Sequence, residues 1–329
     1  MSSFVYATDL HLTDKQPVNR VTPVYPNCLH KFDAILSMAR ANGRTLVLGG
    51  DLFDTPCPSY TLLEETINLL DCYRDLQIYL VRGNHDLKYL NDFQSTGVSA
   101  LHSARLLHIL ARSVIVGNFQ LLPVPYSREL PVTFVQESVN PKASMKYSMG
   151  TESYSDVIHD HDMYEDPTQG KKLFNIMIAH MPIVTEPVPY PHMLCENIYT
   201  DVDVLLCGHI HMQFNKTLPS SARRGFTQFV NPGCITRLKR NEADIVPSVA
   251  IVSCTSHAVT CKIVPIDKAG KVEFLAEEQE VVSFDKAEET KKIDIDDVTT
   301  YIQSSGYPEP VRTEALNLVK EKQGEVVSD

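Results

Sequence analysis

The sequence FVYATDLH at residues 4–11 decides the fold, because an apolar, strand-like run ends directly in two potential metal ligands, Asp9 and His11. Four more apolar runs end in the same way. The five polar clusters are Asp9-Leu10-His11, Gly50-Asp51, Gly83-Asn84-His85-Asp86, His180 and Gly208-His209-Ile210-His211. In an α/β sheet the carboxyl ends of neighbouring strands open onto one crevice. We therefore expect clusters that are far apart in the sequence to meet at a single site.

The residues between the first three apolar runs predict a βαβαβ order. Apolar side chains recur at helical spacing over residues 28–39, and Asn42-Gly43 then favours a helix end. Ser59 is a suitable N-cap for a second helix with an apolar stripe over residues 62–73. Alternating strands and helices are typical of α/β proteins, with all the clusters on one edge of the sheet.

Later parts of the chain favour shorter, antiparallel strands. Gly117-Asn118 separates two short apolar runs and predicts a tight hairpin, whose second strand is expected to end at Pro123. Three further runs predict strands of a second sheet, at residues 228–230, 249–253 and 259–264. The last two are expected to form a hairpin around Ser256-His257.

Composition is that of an ordinary globular protein, with 43% hydrophobic and 22% charged residues. No apolar run approaches the ~20 residues of a membrane span. We therefore expect a soluble protein of the cytoplasm, in a bacterium or an infected host cell. The 8 cysteines include no Cys-x-x-Cys pair, which argues against a zinc ribbon or a disulfide framework. A net charge of -11 excludes a generally basic nucleic-acid coat but allows a local basic rim.

The five clusters supply the donors of a binuclear metal site. Two cations ~3.5–4 Å apart need one bridging ligand, further ligands for each ion, and open positions for water and substrate. Asp51, which follows the central strand, is the expected carboxylate bridge. The expected ligand set is Asp9, His11, Asp51, Asn84, His180, His209 and His211. One such cluster alone is more often a turn or a buried histidine, but five in this order favour a site.

His85 adjoins a predicted ligand and is expected to face the substrate instead of a metal ion. When protonated, it would stabilise charge on the scissile phosphate or donate a proton to the leaving oxygen. Asp86 or Asp54 would hold its tautomer, so we assign His85, Asp86 and Asp54 to catalysis. The expected nucleophile is a metal-bound hydroxide, because coordination lowers the pKa of water.

These residues resemble the calcineurin-like metallophosphoesterases, whose pattern is D-x-H, G-D, G-N-H-[DE], a lone H and G-H-x-H. The resemblance covers residues 4–264 and implies an α/β fold with a two-sheet sandwich flanked by helices, in four αββα layers. It implies one ion on Asp9, His11, Asp51 and His211, and the other on Asp51, Asn84, His180 and His209. Manganese is the expected metal, with iron, zinc, nickel and magnesium as alternatives.

Within this family the chain is most similar to the SbcD-type nuclease subunits, phage versions included. The similarity rests on Gly-Asp-Leu-Phe-Asp at residues 50–54 and on Asn231-Pro232-Gly233 followed by Arg237. Two positions differ, since Asp54 stands where histidine is common and Cys234 where serine is usual. The resemblance implies a manganese-dependent DNA exonuclease or endonuclease of DNA repair and recombination.

Basic residues around the Asn-Pro-Gly turn are candidates for binding DNA phosphates. They are Arg223, Arg224, Arg237, Lys239 and Arg240, of which we select Arg237, Arg224 and Lys239 as substrate-binding residues. A solvated run of charges explains the same pattern equally well.

The resemblance also bears on domain organisation and partners. We expect a metallophosphoesterase domain at residues 1–265 with a polar excursion at 127–172, a charged linker or small extension at 266–292, and a helical docking segment at 293–329. In SbcD-like proteins a similarly placed region grips a coiled-coil ATPase, so an SbcC-like partner is expected beside DNA. A homodimer is compatible with the sequence as well.

Two other functions remain open on the sequence. One is a phosphodiesterase or phosphatase for small substrates such as cyclic nucleotides. The other is a non-catalytic scaffold that keeps the fold to bind partners, although such proteins usually lose ligands and this chain carries the complete set.

Overall fold

The computed structural model of the chain describes residues 2–88, 95–127, 133–134, 173–222, 225–267, 270–275 and 313. The described helices are α1 (Asn27–Ala41), α2 (Tyr60–Asp71) and α3 (Gly97–Ser103). The described strands are β1 (Ser2–Ala7), β2 (Thr45–Leu48), β3 (Gln77–Leu80), β4 (His108–Ile109), β5 (Val114–Val116), β6 (Phe119–Val124), β7 (Thr133–Phe134), β8 (Phe174–His180), β9 (Ile183–Val184), β10 (Met193–Leu194), β11 (Tyr199–Thr200), β12 (Val204–Gly208), β13 (Phe214–Pro219), β14 (Phe226–Asn231), β15 (Ser248–Cys254) and β16 (Val259–Pro265). Two single 3-10 turns lie at Cys195–Asn197 and Arg240–Glu242.

Two six-stranded mixed sheets form the body of the molecule. The first has the order β16-β15-β1-β2-β3-β4 and the second has the order β13-β14-β12-β8-β6-β5. The strands from β1 to β4 are parallel, and so are β6, β8, β12 and β14. Antiparallel strands border both sets, which confirms the predicted α/β sandwich of two sheets.

Apolar side chains fill the space on both faces of each sheet. Phe32 and Ile35 of α1 share a core with the first sheet, and Leu48 of β2 belongs to it. The opposite face of β1 presents Phe4, whose ring meets the edge of Phe119 from the second sheet at a centroid distance of 5.1 Å. Strands buried on both faces read as continuous apolar runs.

A helical layer covers one side of the described sandwich. On the outer face of the second sheet, the described cover is the stretch at residues 181–202 with its short strands, and Ile183, Ile198 and Val202 are buried there. Among the described residues, helical structure in this stretch is the 3-10 turn Cys195–Asn197, whose Cys195 is buried against the second sheet.

Both helix ends predicted near the first strands are confirmed. Gly43 follows α1 with φ of +100°, a conformation that favours glycine. The Ser59 side chain caps α2 by accepting a hydrogen bond of 3.1 Å from the N–H of Leu62. Gly43 therefore lies between the end of α1 and the start of β2, and Ser59 fixes where α2 begins.

The strands at the end of the described chain correct one prediction. β15 and β16 form the expected hairpin, but they extend the first sheet beside β1, with Tyr6 opposite Ala250, instead of joining the second sheet. Both faces of this hairpin carry apolar residues, so its pattern alone suits either sheet. The second strand of the predicted hairpin, β6, does not end at Pro123 but continues to Val124. The proline is tolerated because the residues of β6 that pair with β5 end at Leu121.

The chain divides into two compact units, Met1–Leu275 and Ala276–Asp329. Only Thr313 of the second unit is described, so the predicted docking segment and most of the linker lie outside the described residues. The same holds for the polar excursion, apart from Ser127 and the backbone of β7. No helix within the described ranges is both long and apolar enough to span a membrane.

Candidate metal centre

The loops after five parallel strands meet at one edge of the sandwich. The N–H groups of Asp9 and His11, after β1, donate to the carbonyl oxygens of Gly50 and Asp51, after β2, at 3.1 and 3.0 Å. The N–H of His209, after β12, donates to both carboxylate oxygens of Asp9 at 3.1 Å. These bonds join the loops of the first sheet to those of the second.

Four of the predicted ligands have an uncommon backbone conformation. The φ angles are 51° for Asp9, 45° for His11, 54° for Asp51 and 78° for His209. Non-glycine residues at positive φ cost about 1–3 kcal/mol each and cluster at functional sites. The surrounding hydrogen bonds therefore hold these side chains in positions that an unconstrained chain would avoid.

The first group of donors consists of Asp9, His11 and His211. The Nε2 atoms of His11 and His211 lie 3.1 Å apart. They lie 3.9 and 3.7 Å from Oδ1 of Asp9, respectively. Two ring nitrogens and one carboxylate oxygen thus converge on a space of the size that one cation needs.

The second group consists of His180, His209 and Asn84, with Asp51 beside them. Oδ1 of Asn84 lies 3.2 Å from Nε2 of His180 and 2.8 Å from Nδ1 of His209. Oδ2 of Asp51 lies 3.3 Å from Nε2 of His180 and 3.8 Å from Nε2 of His11. One carboxylate oxygen therefore lies between the two groups.

The charges of this site suit bound cations. Asp9 and Asp51 are buried, and among the described residues the ion-pair partners of their carboxylates are all imidazoles. Burial opposes the ionisation of Asp51, but His180 and His11 outweigh it and hold the pKa of Asp51 below its usual value. Buried carboxylates are costly without a positive partner, so the donor set fits metal ions.

The pKa values of two histidines also depend on burial and on neighbouring charges. Burial would lower the pKa of His180, yet the carboxylate of Asp51 raises it to about 9. Burial and the charge of His180 lower the pKa of His209 to about 4. Cations placed here would take over the charge that the protonated imidazole provides, because metal binding and protonation compete for ring nitrogens.

Glycines allow the loops to approach each other. A Cβ atom at Gly83 would lie 2.6 Å from the backbone nitrogen of Asp51 and would also collide with its carboxylate. Gly50 has φ of +107°, and a Cβ atom there would collide with the His180 ring. Larger residues at either position would displace the predicted bridge or a ring ligand.

His85 lies beside the first donor group, as predicted, but its partner is different. Its Nδ1 is 2.6 Å from the main-chain oxygen of Asp54, where a carboxylate was expected. The carboxylate of Asp54 instead lies 3.4 Å from Nδ1 of His11. The His85 ring meets the His11 ring edge-on at a centroid distance of 4.8 Å.

The Asp86 carboxylate holds the loops together. It accepts hydrogen bonds from the N–H groups of Gly83 at 2.8 Å, Asp51 at 2.9 Å and Leu52 at 3.2 Å. Burial and the neighbouring Asp51 raise the pKa of Asp86 to about 7. These three donors are main-chain groups, so the expected orientation of His85 by Asp86 has no support in this geometry.

The predicted substrate-binding residues that the structure describes, Arg237 and Lys239, differ in exposure. Arg237 is only 4% exposed, and its guanidinium donates to the carbonyl oxygens of Ala243, Ile245 and Gly270. Burial among these carbonyl oxygens argues against the contact with DNA, which remains a prediction. Lys239 is exposed, and Arg224 lies outside the described residues.

Arg237→Met is accordingly expected to affect stability. Three carbonyl groups would lose a buried, charged donor, so the free energy of unfolding should fall by about 2–4 kcal/mol. Urea denaturation measures this loss. Lys239→Met, an exposed neighbour, should stay within about 0.5 kcal/mol of the parent. Unchanged stability combined with weaker DNA binding would instead support the predicted contact of Arg237 with DNA.

Sequence reasoning missed two residues next to the donors. Oε1 of Glu242 lies 2.5 Å from Nδ1 of His211, and the ring of Tyr126 lies 5.3 Å from that of His209. Burial would lower the pKa of His211, yet the hydrogen bonds of its ring with Cys234 and Glu242, together with the charge of Asp9, raise it to about 11. Glu242 stands in a charged stretch far from any cluster, and no local pattern distinguishes it.

A family model, a curated protein and a solved structure match parts of this chain. The family model described as calcineurin-like phosphoesterase matches residues 2–213. The SbcD component of the nuclease SbcCD from Staphylococcus saprophyticus is 21% identical over 245 residues, which cover 70% of this chain and 60% of that protein. The chain thus spans about 60% of the length of this curated relative. The nuclease MPE of Pseudomonas putida aligns with 15% identity and a TM-score of 0.26, over 40% of this chain and 62% of that structure.

Proposed function

Because the chain belongs to the calcineurin-like phosphoesterase family, we propose that it is a binuclear-metal phosphodiesterase that cleaves DNA as an exonuclease or endonuclease. The observation that carries this proposal is the position of Asp51, whose Oδ2 is within 3.8 Å of ring nitrogens from both donor groups. Imidazole, carboxylate and amide donors together suit manganese, and iron, zinc, nickel or magnesium are alternatives.

The residues would divide the work of phosphodiester hydrolysis. Two ions bound here would polarise the phosphate and lower the pKa of an attacking water. Asp51 would bridge them, and the other ligands would fix their separation. His85, held through Nδ1 by the oxygen of Asp54, would direct Nε2 to the phosphate or the leaving oxygen.

DNA as the substrate is supported by likeness to the nuclease component from Staphylococcus saprophyticus, with which 21% of aligned residues are identical. That relative is named as one part of a nuclease, SbcCD. Exposed basic residues such as Lys239 could meet the phosphate backbone, despite the net charge of -11.

A panel of substrates tests the function. The full chain is incubated with Mn²⁺ and, in parallel, labelled duplex DNA, single-stranded DNA, a cyclic nucleotide and a generic phosphodiester. We expect cleavage of DNA that a chelator stops. Hydrolysis of the small substrates alone would support the small-substrate enzyme, and a protein that neither binds metal nor hydrolyses any substrate would support the scaffold.

Residues 293–329 are further proposed as a docking segment for an SbcC-like ATPase, on the sequence pattern described above. A chain ending after Lys292 should keep its thermal stability and its metal-dependent activity on a short substrate, while losing co-purification with the ATPase. Differential scanning fluorimetry and affinity co-purification measure the two effects. Unfolding or aggregation of the shortened chain would assign the segment to the core.

A further inference from the structure

The His211 imidazole has a carboxylate directly behind it. Oε1 of Glu242 is 2.5 Å from Nδ1 of His211, on the side of the ring opposite Nε2. Nε2 in turn lies 3.1 Å from Nε2 of His11 and 3.7 Å from Oδ1 of Asp9. Metal-binding histidines usually donate their second N–H to such a partner, which fixes the ring and strengthens the ligand.

The Glu242 carboxylate is itself held in place. The residue is 3% exposed, and its Oε2 accepts a hydrogen bond of 3.0 Å from the N–H of Lys239. The backbone N–H of Glu242 donates to the carbonyl oxygen of Lys239 at 3.0 Å, within the 3-10 turn Arg240–Glu242. Both carboxylate oxygens therefore have a defined partner.

The segment that ends at Glu242 is tied to the loops of the donor site. The Asn231 amide donates to the carbonyl oxygen of Ile210, between the two histidines of the last cluster, at 2.6 Å. The N–H of Ile235 donates to the carbonyl oxygen of Asp9 at 3.1 Å. Glu242 is thus carried by a segment that contacts the loops of both Asp9 and His211.

The other rings have different partners. Nδ1 of His180 is 2.7 Å from the main-chain oxygen of Gly49, a neutral group. Nδ1 of His11 is 3.4 Å from the Asp54 carboxylate and makes no hydrogen bond with the described residues. Among the described ring ligands, His211 alone therefore has a carboxylate within a short hydrogen bond.

We propose that Glu242 is a positioning residue, which orients the His211 ring toward Asp9 and His11 and adds negative charge behind the ion that these residues would hold. The inference rests on the proposed two-ion site. Removing the charge should lower the affinity for this ion by about 10- to 100-fold, the usual effect of losing a residue that hydrogen-bonds to a metal ligand. The ion beside His180 and His209 should change little.

Glu242→Gln tests the proposal in the full chain. Glutamine has nearly the same shape and can still accept the Lys239 N–H, but it carries no charge. Calorimetric titration of the metal-free protein with Mn²⁺ should resolve two binding events, one weakened about 10- to 100-fold and the other changed by less than about threefold. Glu196→Gln, at an exposed carboxylate paired with Lys216, should leave both events unchanged.

Two further measurements distinguish a role of Glu242 in orienting His211 from a general role in folding. The metal-free Gln variant should still unfold in one cooperative transition, at a lower melting temperature because the His211 ring loses its carboxylate partner, and Glu242→Asp should restore part of the metal affinity because it returns the charge. The proposal would be overturned if the parent and the Gln variant bound Mn²⁺ with equal affinities. It would also be overturned if both binding events were weakened equally. If the Gln variant does not fold, selective weakening of one ion in the Asp variant supports it and no weakening overturns it. A parent that binds two ions yet cleaves no DNA would reject the proposed function alone.

Discussion

Asp51→Asn is expected to remove both metal ions together and to abolish phosphodiester hydrolysis. The carboxylate lies between the two donor groups, 3.3 Å from Nε2 of His180 and 3.8 Å from Nε2 of His11. A neutral amide cannot supply the negative charge that two cations share. The loss of metal affinity should be larger than the loss of about 10- to 100-fold that is usual when a residue behind a metal ligand is removed. Mass spectrometry of the dialysed protein measures the metal content.

Asp75→Asn is the matched control, because Asp75 pairs with Arg40 on the surface. It should keep two ions and full activity. An Asp51→Asn protein that still held two ions tightly would show that another group bridges them.

His85→Ala is expected to lower turnover by about 10²- to 10⁴-fold, the range for loss of a general acid or base. Metal content should remain nearly intact, because the other seven predicted side chains supply both donor groups. The Nδ1 contact of 2.6 Å with the Asp54 oxygen fixes the ring, and the reaction would use Nε2. Steady-state kinetics and metal analysis measure the two effects.

His257→Ala serves as its control, since His257 is exposed in the turn between β15 and β16. It should leave turnover unchanged. Loss of both ions in His85→Ala would make His85 a ligand, and unchanged turnover would remove it from the reaction.

The strand ends could be predicted because two simple rules act together. Buried parallel strands read as apolar runs, and their carboxyl ends face one edge. The residues after those runs, such as Asp9, Asn84 and His180, were therefore expected to be neighbours, and the loops that carry them do meet. Ser59 and Gly43 likewise act through their own local chemistry.

Features that depend on distant contacts could not be predicted. Glu242 reaches His211 only because the segment after β14 folds back over the loop after β1. Arg237 looks like a surface cation in sequence, yet carbonyl oxygens from residues 243–270 surround its guanidinium. The hairpin of β15 and β16 is apolar on both faces, so only packing decides which sheet it extends.

Anomalous diffraction from crystals grown with Mn²⁺ tests the central claim most directly, because it locates the ions without reference to activity. We expect two peaks ~3.5–4 Å apart, with the Asp51 carboxylate between them, one beside Asp9, His11 and His211 and the other beside Asn84, His180 and His209. A single peak, or two peaks that do not share Asp51, would contradict the two-ion site on which the proposed phosphodiesterase rests.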